Sequence, residues 1–347
     1  MSTEDSLQLL FPELSKSLKL GWLITGNPDV AGARLHGWAM HTYFTVNGLT
    51  SRVAWASTGY QNHLKLTMEE LQKVFEFDVN VLVLQGVKSM SLEDEFFKQC
   101  SHYKIKTVLI DSDLVNIELA SRCDAVIVVS DYLKSLFPDS LQEKVFVAID
   151  HYDHDGSQVK VQSDKKELDM CFLSNNVFNT FPGLTSLPEN THLKIIGPPK
   201  KRVKKYTPHK KVFTKTPFAF DYLVWSLETV EENILNCDIA LIPYPEDQVD
   251  AEYIKRKSNN RLILFMSYGL PCIVSPIKPY TDVIRHGENG FIAKTAEDWK
   301  KYVCLLRDDP ALRKKIADTA RSEVLEKYSV HTQAKQYLSV IANVLKR

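Results

Sequence analysis

The chain has 347 residues, of which 44% are hydrophobic and 25% charged, with 43 basic against 43 acidic side chains. This composition is that of a folded globular protein and excludes a chain that is mainly disordered or of low complexity. The length is sufficient for two domains. No apolar run reaches the roughly 18 residues of a membrane-spanning helix, and the acidic start with Glu4 and Asp5 leads us to expect no signal peptide.

The zero net charge conceals a division along the chain. Residues 1–163 carry 14 Lys and Arg against 21 Asp and Glu, whereas residues 164–347 carry 29 against 22. This split favours two domains with different ligands, and the even total disfavours a general nucleic-acid-binding protein. The six cysteines form no Cys-x-x-Cys pair, so zinc and thioredoxin-like chemistry lack support, and we interpret them as reduced cysteines of a cytosolic protein.

In the N-terminal half, short β-branched apolar runs alternate with helical segments. Such runs are typical of strands that are buried on both faces of a parallel sheet. The alternation therefore predicts a doubly wound α/β domain. We predict strands at 18–25, 52–57, 80–84, 106–110, 125–129 and 145–149, and helices at 33–47, 68–77 and 131–137.

The C-terminal half repeats this pattern after a polar linker at 151–169. We therefore predict two Rossmann-like domains, 1–160 and 161–329, in which ligands bind at the carboxyl ends of the strands. The predicted strands are 170–173, 193–196, 239–242 and 272–274, and the predicted helices lie near 227–235, 259–268, 296–306, 311–328 and 330–345.

The most informative segment is 236–293. There a strand is followed by a Pro-rich loop and a charged loop, and a helix begins near Ser258, Asn259 and Asn260, with Ser258 as the expected N-cap. The N–H groups and the positive dipole end of a helix attract phosphate. Lys257 and Arg261 flank this helix end and can clamp a diphosphate.

Two more loops follow strands and are expected to face a ligand. The loop 275–281 is stiffened by Pro276 and Pro279 and leads to Asp282, near a second expected helix start. Gly32 and Arg34 follow the first strand and precede a helix. In a doubly wound fold this is the place that faces a phosphate or a sugar.

These motifs resemble retaining glycosyltransferases of the GT-B fold, in the broad family 4 group (group 1). The segments 26–40, 121–150 and 225–243 are similar to the same group, so the resemblance covers roughly 18–330. The residues that fit the signature are Met266, Gly269, Leu270, Pro271, Asp282, Gly287, Asn289 and Gly290. The resemblance implies two domains facing each other across a cleft, a nucleotide-diphospho-sugar co-substrate, no metal or other cofactor, and a final helix (330–347) that crosses back to the N-terminal domain.

The chain departs from the family at two positions. Relatives place two glutamates eight residues apart around this helix, one on the donor ribose and one holding the sugar. The corresponding residues here are Leu264 and Arg256, so both carboxylates are missing. The Lys-Ser-Asn-Asn-Arg helix start resembles a subgroup that begins with Lys and Asn or Arg. Donor phosphate binding is therefore expected at this helix, and both retention and inversion of the anomeric configuration stay open.

The acceptor side is expected at the end of the strand 106–110. Asp111, Ser112 and Asp113 follow it, where many relatives have a histidine that faces the sugar. A carboxylate there can orient an acceptor hydroxyl or act as a general base, as an inverting reaction needs. Asp113 has an alternative role as the cap of the next helix.

The sequence therefore nominates two groups of site residues, and the resemblance implies base contact for Phe220 and Tyr222 and no metal ligands. The catalytic candidates are Asp111, Asp113, Lys257 and Arg261. The substrate-binding candidates are Gly32, Arg34, Phe220, Tyr222, Tyr244, Ser258, Asn259, Asn260, Pro279, Tyr280, Thr281 and Asp282.

For two further features of the sequence, a structural role is favoured over a catalytic or binding role. His36, His41 and the His- and Asp-rich stretch 149–155 are expected to be core, surface or hinge residues rather than catalytic or metal-binding groups. The segment 194–215 holds nine Lys and Arg and no acid. It fits a solvated loop, a membrane-surface contact or, third, a nucleic-acid contact, and it has few aromatic residues for base stacking.

The function expected from these observations is that of a glycosyltransferase, a hexosyl or pentosyl transferase of the EC 2.4 class. It would move a sugar from a nucleotide-diphospho-sugar to a hydroxyl of a glycan, glycolipid or other acceptor, in surface-glycan or glycoconjugate synthesis. We expect a cytoplasmic protein, with peripheral contact to the inner face of a membrane as an option. The alternatives are a GT-B epimerase, a glycosyltransferase acting on modified DNA bases, and a catalytically silent nucleotide-sugar-binding protein.

Overall fold

The computed structural model describes residues 7–59, 63–113, 115–165, 167–174, 187–188, 191–199, 219–244 and 251–346. The chain divides into two compact units. The first unit consists of Met1–His151 with Tyr328–Arg347, and the second of Tyr152–Lys327. Each unit is built on a six-stranded sheet, as the doubly wound pattern of the sequence predicts.

The sheet of the first unit has the strand order β2-β1-β4-β6-β7-β8, with all neighbours parallel. The chain passes from β1 outward to β2 and then to β4 on the other side of β1, so the strand order reverses between β1 and β4. A separate two-stranded pair is formed by β3 and β5. The strands are β1 (Lys19–Ile24), β2 (Thr50–Ala56), β3 (His63–Leu64), β4 (Val81–Gln85), β5 (Ser89–Met90), β6 (Lys106–Asp111), β7 (Ala125–Val128) and β8 (Val145–Val147).

Helices cover this sheet and bury the apolar side chains of its strands. After β1 and a short turn, residues 31–46 are helical without a break, and they contain a π-helix, Arg34–Trp38, between two α-helical stretches. The α-helices before the linker are α1 (Leu7–Leu10), α2 (Pro12–Ser17), α3 (Ala31–Ala33), α4 (Ala39–Val46), α5 (Met68–Glu76), α6 (Glu93–His102), α7 (Ile117–Arg122) and α8 (Asp131–Ser135), and a 3₁₀-helix spans Asp139–Lys144.

The sheet of the second unit has the order β11-β10-β9-β12-β13-β14, again with parallel neighbours. Its order reverses between β9 and β12. The strands are β9 (Asp169–Leu173), β10 (His192–Gly197), β11 (Ala219–Val224), β12 (Ile239–Ile242), β13 (Cys272–Val274) and β14 (Phe291–Ile292), and the helices are α9 (Val230–Leu235), α10 (Glu252–Lys255), α11 (Asn260–Ser267), α12 (Lys278–Thr281), α13 (Ala296–Asp308) and α14 (Pro310–Lys327).

The last helix, α15 (Val330–Leu345), returns to the first unit. Its buried side chains Leu338 and Ile341 join the core that also contains Leu20 and Trp22 of β1. The predicted return of the C-terminal helix to the N-terminal domain is therefore present in the fold. Within the described residues, no helix combines the length and apolar character needed to cross a bilayer.

Candidate functional site

Arg261 lies at the point in the second unit where the strand order reverses. Ligands of doubly wound sheets bind beyond the carboxyl ends of the strands at such a reversal, and here these strands are β9 and β12. From the first turn of α11, Arg261 Nη1 donates to the carbonyl of Leu173, the last residue of β9, at 3.0 Å. Its Nη2 donates to the hydroxyl of Tyr244, just beyond β12, at 2.7 Å. The guanidinium is thereby fixed between two strand ends.

Two tyrosines complete this cluster. The Tyr244 backbone N–H donates to Ser275 Oγ, just after β13, at 2.7 Å, and its ring centroid lies 6.0 Å from that of Tyr280. Tyr280 is fully buried, and its hydroxyl has no hydrogen-bond partner of normal geometry among the described residues. Burial raises the pKa of Tyr280, so its phenol is a neutral hydrogen-bond donor at pH 7.

Helix α11, beside this cluster, begins one residue later than predicted. Asn259 occupies the cap position of α11, and its side chain makes no capping bond. Ser258 was the predicted N-cap. Its Oγ instead accepts the N–H of Asn260, the first helical residue, at 2.9 Å. The half-buried Lys257 precedes these residues, so Lys257, Ser258, Asn259, Asn260 and Arg261 are gathered at the positive end of α11.

Asp282 lies at the end of a helix, whereas the sequence suggested a helix start. It follows α12 as its C-terminal cap residue, because the helix already begins at Lys278, with Pro279 in its first turn, where proline is favoured. Its exposed carboxylate pairs with Lys278 Nζ at 2.7 and 2.8 Å. Thr281 is exposed, and its hydroxyl donates to the Lys278 carbonyl at 3.2 Å. Of this loop, Tyr280 is the residue that the structure brings to Arg261 and Tyr244.

Phe220 and Tyr222 lie on β11, the edge strand, two strands away from β9. Phe220 is exposed. The Tyr222 hydroxyl donates to the carbonyl of Pro198, in the loop after β10, at 2.6 Å. Burial raises the pKa of Tyr222. Tyr222 thus has a structural partner, and base contact by either residue stays a prediction.

In the first unit, Gly32 lies at the reversal of strand order between β1 and β4. A Cβ at Gly32 would lie 3.8 Å from Gln85 Nε2, at the end of β4, and 4.0 Å from Ser112 Oγ, just after β6. The helical segment therefore passes close to the carboxyl edge of this sheet. Arg34 folds back on its own loop, where Nη1 donates to the Pro28 carbonyl at 2.6 Å.

Asn116, and not Asp113, caps the helix that follows β6. Asn116 is the N-cap of α7, and its side chain accepts the N–H of Leu119 at 3.1 Å. Asp111, buried at the end of β6, accepts the Asn116 backbone N–H through Oδ2 at 3.0 Å. Asp113 is exposed between them. The structural role expected of Asp113 was therefore wrong, and a role of Asp111 or Asp113 toward an acceptor stays a prediction.

The histidines considered in the sequence have structural partners. His36 is buried in the π-helix, with Nε2 3.1 Å from Asp150 Oδ1, and His41 Nδ1 lies 2.8 Å from Ser51 Oγ. His154 Nε2 lies 2.7 Å from Ser267 Oγ. Across the described ranges, no group of three or more His, Cys, Asp or Glu side chains is placed to hold a metal ion.

Gln85 and Asn116 were missed by sequence reasoning. The signal for Gln85 was a polar residue directly after an all-apolar run, at the end where parallel strands bind ligands. The basic segment 194–215 lies mostly outside the described residues. Of its cations, Lys194 on β10 is described, and its Nζ contacts Asp169 Oδ2 at 3.1 Å and the Asn236 carbonyl at 3.0 Å.

Residues 265–323 match the family model described as glycosyl transferases group 1. This match includes the last three residues of α11 and all of the Gly-x-Asn-Gly turn, in which the fully buried Asn289 side chain bonds the backbone of Arg285 and Val283. No curated protein matches the chain by sequence.

Solved structures match nearly the whole chain in fold. The Anabaena protein Alr3699/HepE, in complex with UDP and glucose, is 13% identical with a TM-score of 0.66, over 94% of this chain and 99% of that one. A Rickettsia africae glycosyltransferase is 11% identical, with a TM-score of 0.66 over 95% and 100%. The sucrose-phosphate synthase of Thermosynechococcus elongatus is 11% identical, with a TM-score of 0.66 over 95% and 99%. The chain therefore has the GT-B fold, with two Rossmann-like units, and its residues 265–323 are similar to the glycosyl transferases of group 1.

Proposed function

We propose that the chain transfers a glycosyl group from a nucleotide-diphospho-sugar to an acceptor hydroxyl, in the synthesis of a surface glycan or another glycoconjugate. The observation that carries the proposal is the position of Arg261 at the strand reversal of the second unit. Its bonds to Leu173 and Tyr244 involve two of the five N–H groups of a guanidinium. A guanidinium held in this way is suited to bind a diphosphate through further hydrogen bonds.

The proposed chemistry breaks the bond between the anomeric carbon and the diphosphate oxygen. Negative charge then grows on the diphosphate, and Arg261, Lys257 and the positive end of α11 stabilise it. The acceptor oxygen forms the new bond to the anomeric carbon and releases its proton to a base, for which Asp113 and Asp111 are the candidates. The UDP and glucose of the Anabaena structure support a nucleoside diphosphate and a sugar as ligands of this fold.

A thermal-shift screen of UDP, GDP, ADP and their sugar conjugates tests the donor site. We expect at least one of them to raise the Tm of the wild type, because a ligand at 100 times its Kd adds about 2.7 kcal/mol to stability. The double variant Lys257→Ala with Arg261→Ala should lose this increase. Lys278→Ala is the control, since it removes an exposed cation that already pairs with Asp282. A wild type that no nucleotide stabilises would contradict the proposal.

The replaced glutamates favour a second candidate, a nucleotide-sugar-binding protein without transferase activity. Leu264 has no group that can bond a ribose hydroxyl, and Arg256 has the opposite charge to the residue that it replaces in relatives. Incubation of the stabilising sugar nucleotide with a panel of sugar, glycerol and lipid acceptors separates the two. Release of the nucleoside diphosphate with a new glycoside supports the transferase. Binding with no turnover of any donor supports the silent protein.

A further inference from the structure

Arg256 carries a positive charge that the described part of the fold does not pair. It is the C-terminal cap residue of α10 and directly precedes Lys257, and its side chain is half-buried. Its Nε is buried without a hydrogen-bond partner, and no ion pair or ring contact joins its guanidinium to a residue that the structure describes. Removal of a cation from water without a partner is destabilising. The position therefore requires a reason other than stability.

The acidic side chains of the neighbouring elements pair with other cations. On α10, Glu252 Oε1 lies 2.9 Å from Lys255 Nζ. Asp282 follows α12, which packs against α10, and its Oδ1 lies 2.7 Å from Lys278 Nζ. A guanidinium keeps its charge at every pH near neutrality, so Arg256 calls for a counter-ion. Because its side chain is only half-buried, an anion from solution can supply that partner.

Arg256 is one of three cations close to the start of α11. Lys257 follows it directly, and Arg261 is fixed between the ends of β9 and β12. In the proposed function these two residues bind the diphosphate, which has one negative charge on each phosphate. The third cation exceeds the charge that the diphosphate brings. The charge of Arg256 is therefore left for another negative group that arrives with the substrate.

We infer that Arg256 binds a second anionic group of the substrate, a carboxylate or a phosphate that is separate from the diphosphate. A guanidinium is suited to this role because its planar N–H groups match the two oxygens of such a group. The group belongs either to the donor sugar, which is then a hexuronic acid, or to a phosphorylated acceptor. The inference rests on the proposed function, because it requires the substrate to bind at the start of α11.

Calorimetric titration with matched pairs of ligands distinguishes the two sources. For the donor sugar the pairs are UDP-glucuronate with UDP-glucose and GDP-mannuronate with GDP-mannose. Tighter binding of one uronate than of its neutral partner, by about tenfold or more, assigns the group to the donor. For the acceptor, glucose 6-phosphate and glycerol 3-phosphate are compared with glucose and glycerol in the presence of UDP or GDP. Binding of a phosphate without its neutral partner assigns the group to the acceptor.

Failure of this inference differs from failure of the proposed function. A protein that binds UDP or GDP but prefers no anionic probe to its neutral partner overturns the inference and leaves the donor site in place. A protein that binds no nucleotide contradicts the proposed function, and the inference fails with it.

Arg256→Gln separates anion binding from a structural role. It should keep or raise the Tm, because it removes an unpaired charge, and weaken binding of the preferred anionic probe about tenfold. Lys255→Gln is the matched control, since it removes a neighbouring cation that pairs with Glu252, and it should keep the preference. Equal losses of affinity for the anionic probe and for the free nucleoside diphosphate would show that Arg256 binds the diphosphate. A lower Tm with unchanged affinities would show a structural role, and either result overturns the inference.

Discussion

At the scale of single residues, the position of Arg261 depends on hydrogen bonds with a defined geometry. One arm of its guanidinium reaches the Leu173 carbonyl and another reaches the Tyr244 hydroxyl. A lysine keeps the positive charge but has one ammonium group at the end of a flexible chain, so it cannot reproduce this fork. Charge and geometry at this site can therefore be separated by substitution.

We predict that Arg261→Lys weakens binding of a nucleoside diphosphate by about tenfold or more, because charge-assisted hydrogen bonds contribute about 1.5–3 kcal/mol. Calorimetric titration with UDP, or with the diphosphate that stabilises the wild type, measures the change. Arg285→Lys is the matched control, since Arg285 is exposed and pairs with Glu288 and Glu323. Equal affinity of Arg261→Lys and the wild type would show that only the charge matters.

His154 provides a pH dependence that belongs to the second unit. Its Nδ1 accepts the Gly156 N–H at 2.9 Å, so the proton of the neutral ring is on Nε2, which donates to Ser267 Oγ at 2.7 Å. The ring also stacks on Tyr268, with centroids 4.0 Å apart. Burial lowers the pKa of His154 from 6.5 to about 4, because the charged ring would be poorly solvated.

We predict that this histidine makes the second unit less stable in acid. With a folded pKa of about 4 against 6.5, the folded state binds fewer protons than the unfolded chain between these values. The contribution is complete above pH 6.5 and is lost progressively as the pH falls toward 4. Urea unfolding at intervals from pH 7 to pH 4 measures this loss, and His154→Gln should unfold with a shallower pH dependence. Parallel curves for the two proteins would refute the assignment.

At the scale of elements, Asn116, the N-cap residue of α7, connects the segments that follow β4 and β6. Asn116 accepts the Leu119 N–H at 3.1 Å and also donates to the Lys88 carbonyl, in the loop after β4, at 2.5 Å. Its own N–H is bonded by Asp111. Asn116 therefore links the loop after β4, where Lys88 lies, to the end of β6 at Asp111.

We predict that Asn116→Ala lowers the free energy of unfolding of the first unit by about 1–2 kcal/mol, the usual range for loss of an N-cap. Asp113→Ala should change it by less than about 0.5 kcal/mol, as for most exposed residues without special contacts. Urea unfolding of both variants provides the comparison. A larger loss for Asp113→Ala than for Asn116→Ala would return the capping role to Asp113.

The strands were predictable because each is an apolar run, and burial on both faces selects such runs. β4 was predicted at 80–84 and is Val81–Gln85, an offset that arises because a polar glutamine normally signals the end of a buried strand. The helix start at Asn260, one residue before Arg261, was predictable from local sequence. The partners of Arg261, Leu173 and Tyr244, were not, because they are adjacent only through the strand order, which depends on packing across the whole sheet. The π-helix at Arg34–Trp38 has no local signal of this kind.

At the scale of the whole molecule, the two units have separate hydrophobic cores. Leu338 of α15 lies in the core of the first unit, and Leu241 of β12 lies in the core of the second. Both side chains are fully buried. The first unit thus consists of two separate stretches of the chain, Met1–His151 and Tyr328–Arg347, whereas the second unit is the continuous stretch Tyr152–Lys327. Each unit should therefore respond to changes in its own core.

We predict two calorimetric unfolding transitions, one for each unit, because each core is buried by its own sheet and helices. Leu338→Ala and Leu241→Ala remove the same atoms from fully buried positions, and each should cost about 2–5 kcal/mol. Leu338→Ala should lower the midpoint of one transition, and Leu241→Ala that of the other. A nucleoside diphosphate that binds at Arg261 should raise the transition that Leu241→Ala lowers, since a ligand stabilises the unit that holds its site. A single transition that both variants lower equally would show that the two units unfold as one cooperative structure.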